Sequence, residues 1–71
     1  MKRFGEKLHT LRILHGLTVR QLAEALGVSS PSYISALEKG KRNPSTPLLL
    51  KISYFFNVSA DKLLKDEMEL D

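Results

Sequence analysis

The chain has no cysteine among its 71 residues, which excludes disulfides and thiolate metal centres. Stability must come from packed helices or from a second copy of the chain. It has no apolar run near the roughly 18 residues needed to cross a bilayer, and its start, MKRFGEKL, lacks the continuous apolar segment of a secretory signal. The expectation is a soluble protein that stays in the cytoplasm, away from membranes. A glycine-rich phosphate loop is missing, and the serines have no paired base. His9 and His15 are six apart, on different faces of a helix, with no carboxylate or cysteine at ligand spacing. These absences argue against an enzyme and predict no catalytic residue, metal, cofactor or small-molecule ligand. With no strand signal, repeat, low-complexity segment or linker, residues 1–71 read as one all-α unit, near the lower size limit for a self-sufficient core.

The charge that is present is unevenly placed. The net value is +3, yet all 11 Lys and Arg lie within residues 1–65, against Glu6, Glu24, Glu38 and Asp61, giving that stretch +7. Residues 66–71 carry Asp66, Glu67, Glu69 and Asp71, a short acidic tail of −4. A basic body favours a polyanion through counterion release, and an acidic end belongs away from it.

Apolar spacing predicts five helices. The first runs from Lys2 or Arg3 to His15, with Phe4, Leu8 and Leu11 as its buried stripe and Gly16 as its stop. The second, 19–26, is capped by Thr18, buries Leu22, Ala23 and Leu26, and ends at Gly27. Ser30 as cap and Pro31 at the first helical position start the third, 31–39, whose Ile34 and Leu37 point inward while Ser32, Ser35 and Ala36 point outward. Gly40 is its left-handed stop, and 40–45 is a loop with two cations. A fourth helix, 46–56, capped by Ser45, places Leu49, Ile52, Ser53 and Phe56 on one side. Asn57 breaks it, Val58 staples the turn, and Ser59 caps a last helix at 60–65 containing Leu63 and Leu64. Residues 18–38 thus have the layout of a helix-turn-helix, whose second helix is short and polar on its outer side.

In the segments LAEALGVS, SYISALEKGKRNPS and LLKISYFFNVSADKLL, residues 4–64 resemble the XRE family, the Cro and phage-repressor type of helix-turn-helix. The resemblance implies a compact five-helix, lambda-repressor-like domain that binds double-stranded operator DNA, usually as a homodimer. Two departures stand out. Family members with GVSQSYIS carry a base-reading glutamine where this chain has Pro31, and one extra residue lies between Gly27 and Tyr33, lengthening the turn.

On this reading the base-contacting candidates are Ser32, Tyr33, Ser35 and Ala36. Serine hydroxyls can donate to or accept from base edges, and alanine can pack on a thymine methyl. The phosphate-contacting candidates are Arg20, Gln21, Lys39, Lys41, Arg42 and Asn43. The last three occupy the loop that, by resemblance, follows the sugar-phosphate chain, while Arg20 and Gln21 stand near Val19, where the family often has a phosphate-binding glutamine. The resemblance also implies an ion pair between Arg12 and Glu38 across the first and third helices, orienting the recognition helix.

The fourth helix leaves Tyr54, and Leu50 or Phe55, facing outward, and the late apolar group Tyr54, Phe55, Leu63, Leu64, Met68 and Leu70 exceeds what one helix face needs. Tyr54, Phe55, Leu63, Leu64 and Met68 are therefore the expected dimer interface. The function expected is that of a sequence-specific transcriptional regulator, a repressor on a two-half-site operator. The competing reading is an antitoxin or protein-interaction module on the same scaffold, which would carry its exposed apolar surface near the third helix.

Overall fold

The computed structural model describes residues 2–70; Met1 and Asp71, the ends of the unit read from sequence, lie outside the described residues. The five helices are α1 (Phe4–Leu14), α2 (Val19–Leu26), α3 (Pro31–Glu38), α4 (Thr46–Phe56) and α5 (Ala60–Leu64), and no strand occurs among the described residues. Differences from the expected boundaries are confined to ends. Lys39 is the C-cap of α3, and α5 stops at Leu64 because Lys65 turns extended, with ψ 118°.

Local chemistry accounts for most boundaries. Thr18 Oγ1 accepts from the Gln21 amide at 3.0 Å while Gln21 Oε1 accepts from the Thr18 amide at 2.9 Å, a complete capping box at the start of α2. Ser45 and Ser59 cap α4 and α5 by accepting from Leu48 and Lys62 amides, at 3.3 and 3.2 Å. Gly27 closes α2 at φ 72°, a left-handed geometry that favours glycine. Ser30 is a correction to the expected cap. Its backbone has N-cap geometry, but the side chain caps no amide and instead meets the Ser32 hydroxyl, Oγ to Oγ 2.7 Å.

Every helix contributes to one core. Leu8, Leu22, Ile34, Leu37, Ile52 and Leu63 are fully buried, and Phe4, Leu11, Ala23, Leu26, Leu48, Leu49 and Phe56 surround them. α3 packs against both α1 and α2, α4 packs on α2, and α5 bridges α1 and α4. The α1–α3 approach is close enough to require Gly5, because a Cβ there would lie 2.6 Å from the Glu38 carbonyl oxygen and closer still to that of Leu37. Leu48 joins the core beside the expected α4 residues. Ser53 uses its hydroxyl to donate to the Val58 carbonyl across the α4–α5 turn.

A polar clamp ties α1 to the end of the chain. Lys7 is 2% exposed, and its ammonium donates to the carbonyls of Lys62, Lys65 and Met68 at 2.6, 2.7 and 2.6 Å, which uses all of its donors. Asp66 accepts from the Lys2 and Arg3 amides at 3.0 and 2.8 Å, placing a carboxylate at the positive end of α1. Arg3 then grips both oxygens of Glu69 at 2.9 and 3.0 Å. The described part of the acidic tail is therefore folded back onto the start of α1.

Candidate nucleic-acid interface

The α2–α3 turn absorbs its extra residue on the outside. Val28 packs against the core, and its amide donates to the Ala23 carbonyl at 2.8 Å, so the end of α2 is fixed. Ser29 and Ser30 carry the added length in the exposed part of the turn. Proline at the first position of α3 forfeits no helical hydrogen bond, and Ile34 and Leu37, both without exposure, anchor the inner face.

The outer side of α3 is small and polar as expected. Ser32 is exposed, Ser35 and Ala36 are half-buried, and Lys39 is exposed at the helix end. Tyr33 also makes contacts within the chain. Its ring packs partly against the core, its hydroxyl points toward the Asn43 carbonyl at 3.4 Å, and the Arg42 guanidinium lies over the ring, 5.4 Å from its centre. Tyr33 thus joins α3 to the loop after it and gives Arg42 a ring to rest on. Lys41, Arg42 and Asn43 remain exposed around that contact.

Arg20 and Gln21 are both exposed in the first turn of α2. The capping box occupies Oε1 of Gln21 and leaves only its amide nitrogen to donate outward. The pattern Thr18-x-x-Gln21 carries that signal in the sequence itself. Lys51 is a further cation at this surface, an exposed α4 side chain whose ammonium lies beside Gly27 at the α2–α3 turn, near enough to stand 3.7 Å from a Cβ placed there. No local pattern marks it, because only the α2–α4 packing brings it to the turn.

Arg12 and Glu38 meet with two contacts, Nε to Oε2 at 2.7 Å and Nη2 to Oε1 at 3.1 Å, and their side chains are only 11% and 8% exposed. Arg12 also donates to the Leu17 carbonyl at 2.9 Å, so one guanidinium fixes α1, the α1–α2 turn and the end of α3. His9 Nδ1, 2.9 Å from Glu38 Oε1, is a third member absent from the sequence reading. Burial alone would raise the Glu38 pKa, but the hydrogen bonds from Arg12 and His9 outweigh it and hold the carboxyl below its ordinary range.

The five residues expected at a dimer interface do not form one surface. Leu63 has no exposure, so it belongs to the core rather than to an interface, a correction that follows from α5 crossing α1 and α4. Leu64 is half-buried against the core, and Met68 is half-buried with its carbonyl held by Lys7. Tyr54 and Phe55 stand out on α4 at 79% and 42% exposure. The other exposed large apolar side chains among the described residues are Ile13 and Leu14 on α1 and Leu50 on α4. None is on α3.

Among the described residues no helix is long and apolar enough to cross a membrane, and no cluster of His, Asp or Glu could hold a metal ion.

A family model described as Helix-turn-helix matches residues 8–63. An uncharacterized HTH-type transcriptional regulator of Methanocaldococcus jannaschii is 47% identical over 57 residues, covering 80% of this chain and 85% of its own length. The HTH-type transcriptional activator BcrR of Enterococcus faecalis is 48% identical over 64 residues, 90% of this chain but only 31% of the activator. Among solved structures, the N-terminal DNA binding domain of SinR from Bacillus subtilis superposes with a TM-score of 0.83 at 33% identity, covering 97% of this chain and all of that domain. The restriction-modification controller protein C.AhdI from Aeromonas hydrophila gives 0.77 at 32% identity over 89% of this chain and 94% of its own. With its α2–turn–α3 geometry, its five-helix core and these relatives, the chain belongs to the XRE family of helix-turn-helix transcriptional regulators.

Proposed function

We propose that the chain is a sequence-specific repressor that binds a two-half-site operator as a homodimer in the cytoplasm, without catalytic activity. The observation that carries this reading is the outer side of α3: a helix anchored by Ile34 and Leu37 that carries Ser32, Ser35 and Ala36 on its other side, flanked by the cationic loop 41–43. Such a helix can approach a major groove closely, with phosphate contacts fixing its orientation. Ser32, Ser35 and Ala36 face base edges. Arg20, Gln21, Lys39, Lys41, Arg42 and Asn43 hold phosphates, and Tyr33 positions Arg42. Exposed apolar side chains lie on α1 and α4 rather than on α3, which favours DNA over a protein partner at the recognition helix. They also favour a dimer built on the exposed Tyr54 and Phe55, leaving α3 free and spacing two copies about one helical turn, roughly 34 Å, apart on the duplex. A dimer so bound represses by excluding polymerase.

The test is titration of the whole chain onto duplexes selected from a random pool, at several salt concentrations. Lys41→Ala should weaken binding to every sequence and lower the salt slope by about one. Ser35→Ala should instead narrow the gap between selected and random DNA, and Tyr54→Glu should give a folded monomer in sedimentation with weak operator affinity. Equal losses from Lys41→Ala and Ser35→Ala on both DNAs would reject this division, and failure to select any duplex would reject the function.

A further inference from the structure

Ser30 and Ser32 stand on the exposed leading end of α3, one on each side of Pro31, with their hydroxyl oxygens 2.7 Å apart. That distance is a full hydroxyl–hydroxyl hydrogen bond. The N-terminal residues of a recognition helix are the ones that reach base edges in the major groove. Resting on the DNA-binding function proposed above, we infer that this hydroxyl pair acts as a single unit that reads one adenine in each half-site.

The selectivity follows from counting protons. Two serines hold two hydroxyl protons, and their mutual bond uses one of them. The serine that donates within the pair has free lone pairs and can only accept from the DNA. Its partner keeps its own proton and can donate. The pair therefore offers the groove one acceptor beside one donor, and either serine can take either role.

Within a single base, adenine alone presents the complement on neighbouring atoms, an N6 amino group that donates and an N7 that accepts. The closed chain runs from N6–H to the first hydroxyl, from the first to the second, and from the second to N7. Guanine presents two acceptors, N7 and O6, and would leave one of them facing a lone pair. Cytosine supplies only a donor, and thymine only an acceptor beside its methyl group. The pair thus offers one acceptor and one donor side by side, as a glutamine amide does, at a place where Pro31 leaves no such side chain.

Selection from a random duplex pool, followed by binding to the selected site with single atoms removed, tests this. The expected result is one adenine fixed in each half-site, with 7-deazaadenine, which lacks the N7 acceptor, and unsubstituted purine, which lacks N6, each weakening binding by on the order of tenfold. Ser30→Ala and Ser32→Ala should each bind all three duplexes equally while preferences at other positions persist, and the double variant should lose no more than either single one. Both side chains are exposed, so thermal melting should be unchanged. A fixed guanine, or an adenine preference that survives both substitutions, overturns the assignment but leaves DNA binding intact. Failure to select any duplex overturns both.

Discussion

Replacing Arg12 or Glu38 by alanine should show how much of this small fold rests on one ion pair. The two side chains are 11% and 8% exposed, so removing either leaves its partner charged in a site from which water is largely excluded. A stranded charge of this kind costs about 3–5 kcal/mol. Arg12→Ala also leaves the Leu17 carbonyl without its donor, adding about 1 kcal/mol, whereas in Glu38→Ala the guanidinium keeps Leu17. At about 0.05–0.15 kcal/mol per residue, a 71-residue domain has only roughly 4–11 kcal/mol of stability in all. Either single substitution should thus consume a large part of it. The double substitution strands no charge and should cost about 1–3 kcal/mol, less than either single change, for a coupling of at least about 4 kcal/mol. Urea unfolding followed by far-UV circular dichroism measures all four proteins. Additive losses would refute the reasoning, since they would mean that neither charge depends on the other.

Three further outcomes follow from the same packing. Lys7→Met keeps the aliphatic stem but leaves the carbonyls of Lys62, Lys65 and Met68 without their donor; it should destabilise the fold by about 2–4 kcal/mol and speed amide exchange in α5 first, as hydrogen exchange read by NMR would show. Gly5→Ala gains about 1 kcal/mol of helix propensity, yet drives a methyl group against the Leu37 and Glu38 carbonyls, so the melting temperature should fall rather than rise. Three carboxyls are held below their ordinary range in the folded chain: Glu38, where Arg12 and His9 overcome burial; Asp66, through the Arg3 and Lys2 amides; and Glu69, through Arg3. A lowered folded pKa gives stability that is fully present above the unfolded value and is lost as pH falls through the folded one. Melting temperature should therefore be flat with respect to these groups at neutral pH and decline from about pH 4 downward. A decline already complete above pH 5 would exclude them as the cause.

Much of this protein is decided by residues close to one another in sequence. Thr18 with Gln21, Ser45 with Leu48 and Ser59 with Lys62 start their helices within three residues, and Gly27 and Asn57 stop theirs through left-handed geometry. Apolar spacing on the first three helices marks Leu8, Leu22, Ile34 and Leu37 for burial, because a helix of period 3.6 can hide only one stripe. The helix-turn-helix and its basic loop were legible for the same reason. What only the tertiary structure decided concerns partners far apart in the chain. Lys7 looks like any surface lysine until α5 and the tail bring three carbonyls to it from residues 55 to 61 positions away. Gly5 gains its meaning from the α3 backbone, Tyr33 from the loop it stacks on, and Lys51 from α4 packing on α2. Leu63 and Leu64 are neighbours of equal hydropathy, yet one is core and the other is half-exposed. Hydropathy says that a side chain prefers to be buried, but the crossing of α5 over α1 and α4 determines which side chain is covered.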